Sequence, residues 1–161
     1  MKIVYMGTPE IAAVILENML AAGDEGAAGV TQPDRPKGRG HGLAYSEVKR
    51  VAAAHGLPVY QPERVKEEEF LSCMERLAPE LIVVAAFGQI LPKRLLDMPK
   101  YGCINVHASL LPKYRGAAPI QYAILNGECE TGVTIQYMAQ GIDTGDMITR
   151  EVVAVAPDET G

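Results

Sequence analysis

Leu81-Ile82-Val83-Val84-Ala85-Ala86-Phe87 is an uninterrupted apolar run near the middle of the chain. A strand with one face in water alternates apolar and polar residues, whereas a strand that is covered on both faces is apolar throughout. The run therefore predicts a central, fully buried strand of a parallel sheet.

The segments around this run support the same interpretation, because short β-branched runs alternate with helix-length segments. Thr8 is predicted to be the N-cap of the first helix, with Pro9 at its first helical position. The predicted strands are residues 2–6, 28–31, 59–61 and 81–87, and the predicted helices are residues 9–22, 45–55 and 63–77.

A second candidate feature lies in a predicted strand over residues 101–109. The period of two in a strand places Asn105 and His107 on one face, about 7 Å apart. Residues 131–138 and 147–155 alternate like two further strands, joined around Gly141-Ile142-Asp143-Thr144-Gly145. An amide, an imidazole and the carboxylate of Asp143 are thereby expected in one pocket.

Length, composition and charge limit the function classes. A chain of 161 residues with 48% apolar composition can form one domain with a core, but not two full-sized domains. The net charge of −5 argues against non-specific coating of nucleic acid. Residues 33–50 nevertheless carry five basic and two acidic side chains, which leaves a local contact with nucleic acid open.

The three cysteines, Cys73, Cys103 and Cys129, show no Cys-x-x-Cys spacing and favour free thiols in a reducing cytosol. An extended strand separates Cys103 from His107 by about 13 Å, too far for one zinc ion, so no metal is expected. Neither a signal peptide nor a membrane-length apolar stretch is seen. These observations predict a soluble cytoplasmic protein.

Gly7-Thr8-Pro9 follows the first predicted strand, as a nucleotide-binding turn would. It lacks the further glycines of the dinucleotide fingerprint, and the chain has no Walker lysine motif. Neither NAD nor ATP is implied.

The run His107-Ala108-Ser109-Leu110-Leu111-Pro112-Lys113-Tyr114-Arg115-Gly116 resembles the folate-dependent formyltransferases, and continues in the same way to Gln121. Three more stretches match that family in order and spacing over the rest of the chain: Met6-Gly7-Thr8-Pro9-Glu10, Gln32-Pro33-Asp34 through Arg39-Gly40, and Ala86-Phe87-Gly88-Gln89-Ile90-Leu91-Pro92. Within the family, the chain is most similar to the enzymes that act on initiator tRNA.

The resemblance implies an α/β, Rossmann-like formyltransferase fold with a mostly parallel, twisted sheet flanked by helices. Residues 1–161 are expected to be the catalytic domain, truncated before the C-terminal domain of such enzymes. The implied reaction moves a formyl group from the co-substrate 10-formyltetrahydrofolate to the α-amino group of methionyl initiator tRNA. No metal, membrane or obligate protein partner is implied.

The resemblance also implies roles for individual residues. Asn105 would donate a hydrogen bond to the developing oxyanion, and His107 would donate or exchange a proton near neutral pH. Asp143 would orient the imidazole or hold a water that relays the proton. The folate would contact Phe87, Gly88, Gln89, Ile90, Leu91, Ser109, Leu110, Leu111, Pro112, Gln140, Gly141 and Ile142. Lys37 and Arg39 would contact the tRNA.

Other interpretations remain beside this one. Without the surrounding pattern, Asn and Asp next to glycines are usually turn formers, and a histidine in a strand is usually structural. The same superfamily also contains enzymes that formylate small amines, such as nucleotide sugars or glycinamide ribonucleotide. A folate-binding module without turnover is the third alternative, because a fold does not determine a function.

Overall fold

The computed structural model describes residues 1–36, 43–107, 125–127, 130–139 and 145–154. The chain divides into two compact units, Met1–Cys103 and Ile104–Gly161. In chain order the elements are β1 (Ile3–Gly7), α1 (Glu10–Ala21), β2 (Gly26–Val30), β3 (Arg35–Pro36), β4 (Leu43–Ala44), α2 (Glu47–Ala54), β5 (Val59–Tyr60), α3 (Glu68–Leu77), β6 (Leu81–Ala85), α4 (Lys93–Leu96), β7 (Cys103–His107), β8 (Glu130–Tyr137) and β9 (Met147–Ala154).

The first unit contains a parallel sheet in the order β5-β2-β1-β6. β1 and β6 run in continuous register from the pair Ile3 and Leu81 to the pair Gly7 and Ala85. All five residues of β1 are buried, as are the last four of β6. The apolar runs therefore form the core strands that the sequence predicts.

Helices supply further residues of this core. α1 buries Ala12, Ala13 and Leu16, and it packs against both α2 and β6. The amphipathic helix α3 buries Phe70 and Leu71 together with Met74. The helices thus cover apolar residues that a bare parallel sheet would expose to water.

In the second unit, β8 pairs in antiparallel fashion with both β7 and β9. β8 and β9 are the two strands that the alternating pattern predicts over residues 131–138 and 147–155. Leu125 is helical and Gly127 has a φ of +69°, the left-handed conformation in which glycine commonly ends a helix.

The predicted fold class is confirmed: parallel strands flanked by helices make up the larger unit, and antiparallel strands follow. Several boundaries differ from the predictions by one to five residues, and two of them have a local cause. The strand predicted over residues 81–87 ends at Ala85, because Ala86 has a φ of +48° and turns the chain. The helix predicted over residues 63–77 begins only at Glu68, because the backbone of Glu67, its N-cap, is extended with a ψ of 136°.

The predicted capping role of Thr8 is wrong. Pro9 occupies the N-cap of α1, and no side chain bonds to the first turn. The Thr8 hydroxyl instead donates to the carbonyl of Phe87 at 3.0 Å and accepts from the backbone N–H of Gln32 at 3.4 Å. Thr8 therefore connects the ends of three strands.

Arg35 and Pro36 form a short strand, which no local pattern predicts, because β3 pairs in antiparallel fashion with β4. Over the described ranges, no helix combines the length and the apolar character that crossing a membrane requires.

Candidate active site

Polar side chains gather at the carboxyl ends of β1, β2, β5 and β6. Thr8, Gln32, Gln61 and Gln89 each follow one of these strands and are joined by hydrogen bonds. In open α/β sheets, ligands bind outside the carboxyl ends of the parallel strands. This edge of the first unit is therefore the region in which a ligand site is expected.

The loop Phe87–Leu91 follows β6 and carries five of the predicted folate residues. Phe87 and Leu91 are buried, with 2% and 3% of their surfaces exposed. Gly88 is exposed, and 75% of the Ile90 surface faces solvent. The loop thus turns two apolar side chains into the core and presents Gly88 and Ile90 outward.

The Gln89 side chain is engaged with the protein itself. Its Nε2 donates to Gln32 Oε1 at 3.0 Å, to the carbonyl of Glu63 at 3.2 Å and to that of Pro62 at 3.4 Å. Its Oε1 accepts from the N–H of Val65 at 2.9 Å. Among the predicted folate residues, Gln89 therefore contributes an anchor rather than an open polar group.

A second set of polar contacts surrounds the end of β2. Asp34 accepts from Lys49 Nζ at 2.7 Å and from Gln61 Nε2 at 2.8 Å. The hydrogen bonds from Lys49 and Gln61 hold the pKa of Asp34 below its ordinary value. Lys49 also lies 3.8 Å above the centre of the Tyr45 ring. The acidic residue of the Gln32-Pro33-Asp34 motif is thus ionised and fixed in place.

In the second unit, Asn105 and His107 lie on the same face of β7, as predicted. Burial alternates along the strand, and Asn105 and His107 are only 9% and 7% exposed. Asn105 is directly opposite Gln136 on β8, and His107 is directly opposite Thr134. Residues paired in this way project to one face of a sheet, with Cβ atoms about 5 Å apart.

Thr134 and Gln136 are members of this polar face that sequence reasoning missed. Both are almost fully buried. The signal was present in the alternation of Val133, Ile135 and Tyr137 with polar residues. The alternation identifies a polar face, but only the strand register places that face beside Asn105 and His107.

The buried polar face of β7 carries an amide, from Asn105, and an imidazole, from His107. An amide donates hydrogen bonds without titrating, and an imidazole can donate or carry a proton near neutral pH. Such groups on a buried strand suit the stabilisation of a developing negative charge, because water competes less there.

The other predicted site residues lie outside the described part of the chain, and their assignments stay predictions. They are Asp143, Ser109, Leu110, Leu111, Pro112, Gln140, Gly141, Ile142, Lys37 and Arg39.

Comparison with known proteins gives consistent results. A methionyl-tRNA formyltransferase of Agathobacter rectalis is 54% identical over 161 residues, which are 100% of this chain and 52% of the relative. A protein of the same name from Citrifermentans bemidjiense is 57% identical over 159 residues, covering 99% and 50% of the two chains. The chain spans about half the length of the curated relatives it matches.

The fold also has counterparts among solved structures. A phosphoribosylglycinamide formyltransferase from Bacillus halodurans superposes with a TM-score of 0.80 at 23% identity, over 99% of this chain and 83% of the other. That likeness shows a shared fold. A model of the formyl transferase family matches residues 1–161, and the resemblance seen in the motifs is thereby confirmed. The chain belongs to the formyl transferase family.

Proposed function

We propose that this chain is the catalytic part of a methionyl-tRNA formyltransferase, which transfers a formyl group from 10-formyltetrahydrofolate to the α-amino group of methionyl initiator tRNA. The observation that carries the proposal is the shared buried face of Asn105 and His107 in a member of the formyl transferase family. The names of relatives that match the whole chain support this choice of acceptor.

The reaction forms a bond between the acceptor nitrogen and the formyl carbon, and it breaks the bond from that carbon to N10 of the folate. The carbon passes through a tetrahedral state whose oxygen carries negative charge. Asn105 donates to that oxygen, and His107 donates to it or moves a proton. The proton leaves the attacking nitrogen and finally reaches N10, and Asp143 orients the imidazole or holds the relaying water.

The loop Phe87–Leu91 forms one wall of the pterin pocket. The exposure of Gly88 and Ile90 supports this role, because a backbone can read the edge of a ring while an apolar side chain covers its face. The other residues proposed to contact the folate are Ser109, Leu110, Leu111, Pro112, Gln140, Gly141 and Ile142.

Lys37 and Arg39 contact the tRNA backbone, where cationic side chains pair with phosphates. The protein works in the cytoplasm, where initiator tRNA is charged and used.

Asn105→Ala and His107→Ala test the catalytic assignment. Each is expected to lower the single-turnover rate about 10²- to 10³-fold, while folate affinity changes little, because both groups act mainly as charge develops. Val106→Ala is the matched control, since Val106 lies between them on the opposite face of β7. Loss of folate affinity at an unchanged rate would show that the two residues line a pocket without taking part in catalysis.

Acceptor choice is tested with charged initiator tRNA, glycinamide ribonucleotide and a nucleotide-linked amino sugar as competing substrates. We expect formylation of the tRNA, and Arg39→Ala should reduce it without changing folate affinity. Faster formylation of a small amine would assign the chain to that branch of the family. Folate binding without formyl release would instead identify a binding module.

A further inference from the structure

Gln89 uses both ends of its side-chain amide on protein groups from two separate segments. The Nε2 group reaches Gln32 after β2 and the carbonyls of Pro62 and Glu63 after β5. The Oε1 atom accepts from Val65 in that same second segment. An amide that reads a ligand needs at least one end directed toward it, and here both ends hold the loop against its neighbours.

Gln32 is fixed in turn by its own backbone. Its N–H donates to Thr8 Oγ1, and its carbonyl accepts from Gln61 Nε2 at 3.2 Å. Thr8 donates to the carbonyl of Phe87, at the start of the same loop. The contacts form a closed circuit from Phe87 through Thr8 and Gln32 back to Gln89. Both ends of the Phe87–Gln89 segment are therefore bonded to residues that follow β1 and β2.

Gly88 lies inside this circuit and has a φ of +98°, where side chains are disfavoured. A Cβ atom there would lie 2.8 Å from Gln32 Nε2. The absence of a side chain thus lets the Gln32 amide pack against the loop backbone and reach Gln89.

We propose that Gln89 is a positioning residue, held by Gln32, which fixes the loop so that Gly88 and Ile90 face the bound donor. The loop then meets its ligand in a preset conformation, and less ordering is needed on binding. The identity of the donor, 10-formyltetrahydrofolate, rests on the proposed function, whereas the hydrogen-bond circuit is independent of it.

Two substitutions break the circuit at different residues. Gln89→Glu keeps the oxygen that accepts from the Val65 N–H. It replaces the Nε2 donor with a carboxylate oxygen, which cannot bond to the oxygen acceptors of Gln32, Pro62 and Glu63. Gln32→Met removes the acceptor for Gln89 while leaving the backbone bonds of Gln32 in place. Gln32→Glu is the conservative control, because it retains an oxygen for Gln89 Nε2. Tyr5→Phe controls for general destabilisation, since it removes a buried hydrogen bond to Ala12 away from the loop.

The first measurement needs no ligand. Amide hydrogen exchange of residues 86–91 should accelerate in both Gln89→Glu and Gln32→Met. Exchange of Val65 should change less in Gln89→Glu, because the glutamate still offers an oxygen to its N–H. Exchange should stay near the parent rate in Gln32→Glu and Tyr5→Phe. Unchanged exchange in the first two variants would overturn the proposed anchoring.

The second measurement is steady-state kinetics. The KM for 10-formyltetrahydrofolate should rise about tenfold in Gln89→Glu and Gln32→Met, with little change in kcat at saturating donor, as expected when about one hydrogen bond of preorganisation is lost. Both parameters should be near the parent values in the two control variants.

The outcomes separate the alternatives. If Gln89→Glu raises the KM while Gln32→Met does not, Gln89 contacts the donor directly and the positioning role is wrong. If exchange changes without any rise in KM, the circuit is structural only. If the parent protein neither binds nor uses 10-formyltetrahydrofolate, the proposed function fails, and hydrogen exchange still decides whether Gln89 anchors the loop.

Discussion

Gly7 ends β1 immediately before Thr8, and replacing it with alanine is expected to destabilise the first unit strongly. A Cβ atom at this position would lie 2.7 Å from the Ala12 Cβ and 2.8 Å from the carbonyl oxygen of Ala85. Both distances are far below ordinary contact, and the carbonyl belongs to the adjacent strand β6. The strand and α1 must move apart to admit one methyl group.

The expected loss of stability in Gly7→Ala can be taken from the known cost of adding atoms to a packed core. Forcing an extra methyl group into a well-packed core costs about 1–3 kcal/mol, and the two rigid neighbours place Gly7→Ala near 3 kcal/mol. For a chain of this size, that corresponds to a fall in the melting temperature of about 6–12 °C. Thermal unfolding followed by circular dichroism measures this shift.

Gly26→Ala in β2 is the matched control. A Cβ there meets the ends of the Leu57 and Leu20 side chains at 3.1 and 3.2 Å, and these flexible groups can adjust. Its effect should stay below about 1 kcal/mol, within the range of a tolerated core change. A difference of 2–3 °C between the melting temperatures of the two variants corresponds to only about 1 kcal/mol. If Gly7→Ala and Gly26→Ala differ by no more than this, the close approach of β1, α1 and β6 does not explain why residue 7 is glycine.

Three further predictions concern groups inside the first unit. Burial raises the pKa of Tyr5 above its ordinary value, so the free energy of unfolding should fall as pH rises beyond about 10. Tyr5→Phe should weaken that dependence and, through the lost bond to Ala12, cost about 1 kcal/mol near neutral pH in urea titrations. Burial raises the pKa of the Cys103 thiol to about 12, so peptide mass spectrometry should show far slower alkylation at pH 8 in the folded than in the urea-unfolded chain. Ala78 has a φ of 51° at the end of α3, so Ala78→Gly should stabilise the protein by about 0.5–1 kcal/mol. Ala53→Gly, at an exposed position within α2, should instead cost about 1 kcal/mol. An equal effect of the two glycine substitutions would contradict the argument from backbone strain.

Both buried groups, the Tyr5 hydroxyl and the Cys103 thiol, are expected to lower the free energy of unfolding as the pH rises into the alkaline range. A folded-state pKa raised above the unfolded value means that the unfolded chain releases its proton first as pH rises. Stability is therefore fully present below the ordinary pKa of each group and decreases above it. Stability that increased between pH 9 and 11 would contradict the burial of Tyr5 and Cys103.

Local patterns in the sequence determined seven of the nine described strands, the approximate bounds of α1, α2 and α3, and the placement of Asn105 and His107 on one face. They did not predict the short elements β3, β4 and α4. An apolar run predicts a buried strand because a strand covered on both faces needs an apolar side chain at every position. The period of two is a property of any strand, so Asn105 and His107 share a face whatever β7 pairs with. Gly56 directly follows the helix predicted over residues 45–55, and its φ of +71° is a conformation that glycine adopts without strain.

Only the tertiary structure decided the partners of the polar side chains. Thr8 has the residue type and position of a helix cap, yet its hydroxyl bonds to Phe87, 79 residues away. Gln89 looks like a ligand contact in a motif, yet its amide is held by Gln32, 57 residues away. Such bonds depend on which strand ends meet when the sheet forms. No local sequence pattern shows which strand ends lie next to each other. The sequence therefore identified the polar residues of the candidate site, whereas their hydrogen-bond partners became known only from the strand order of the folded sheet.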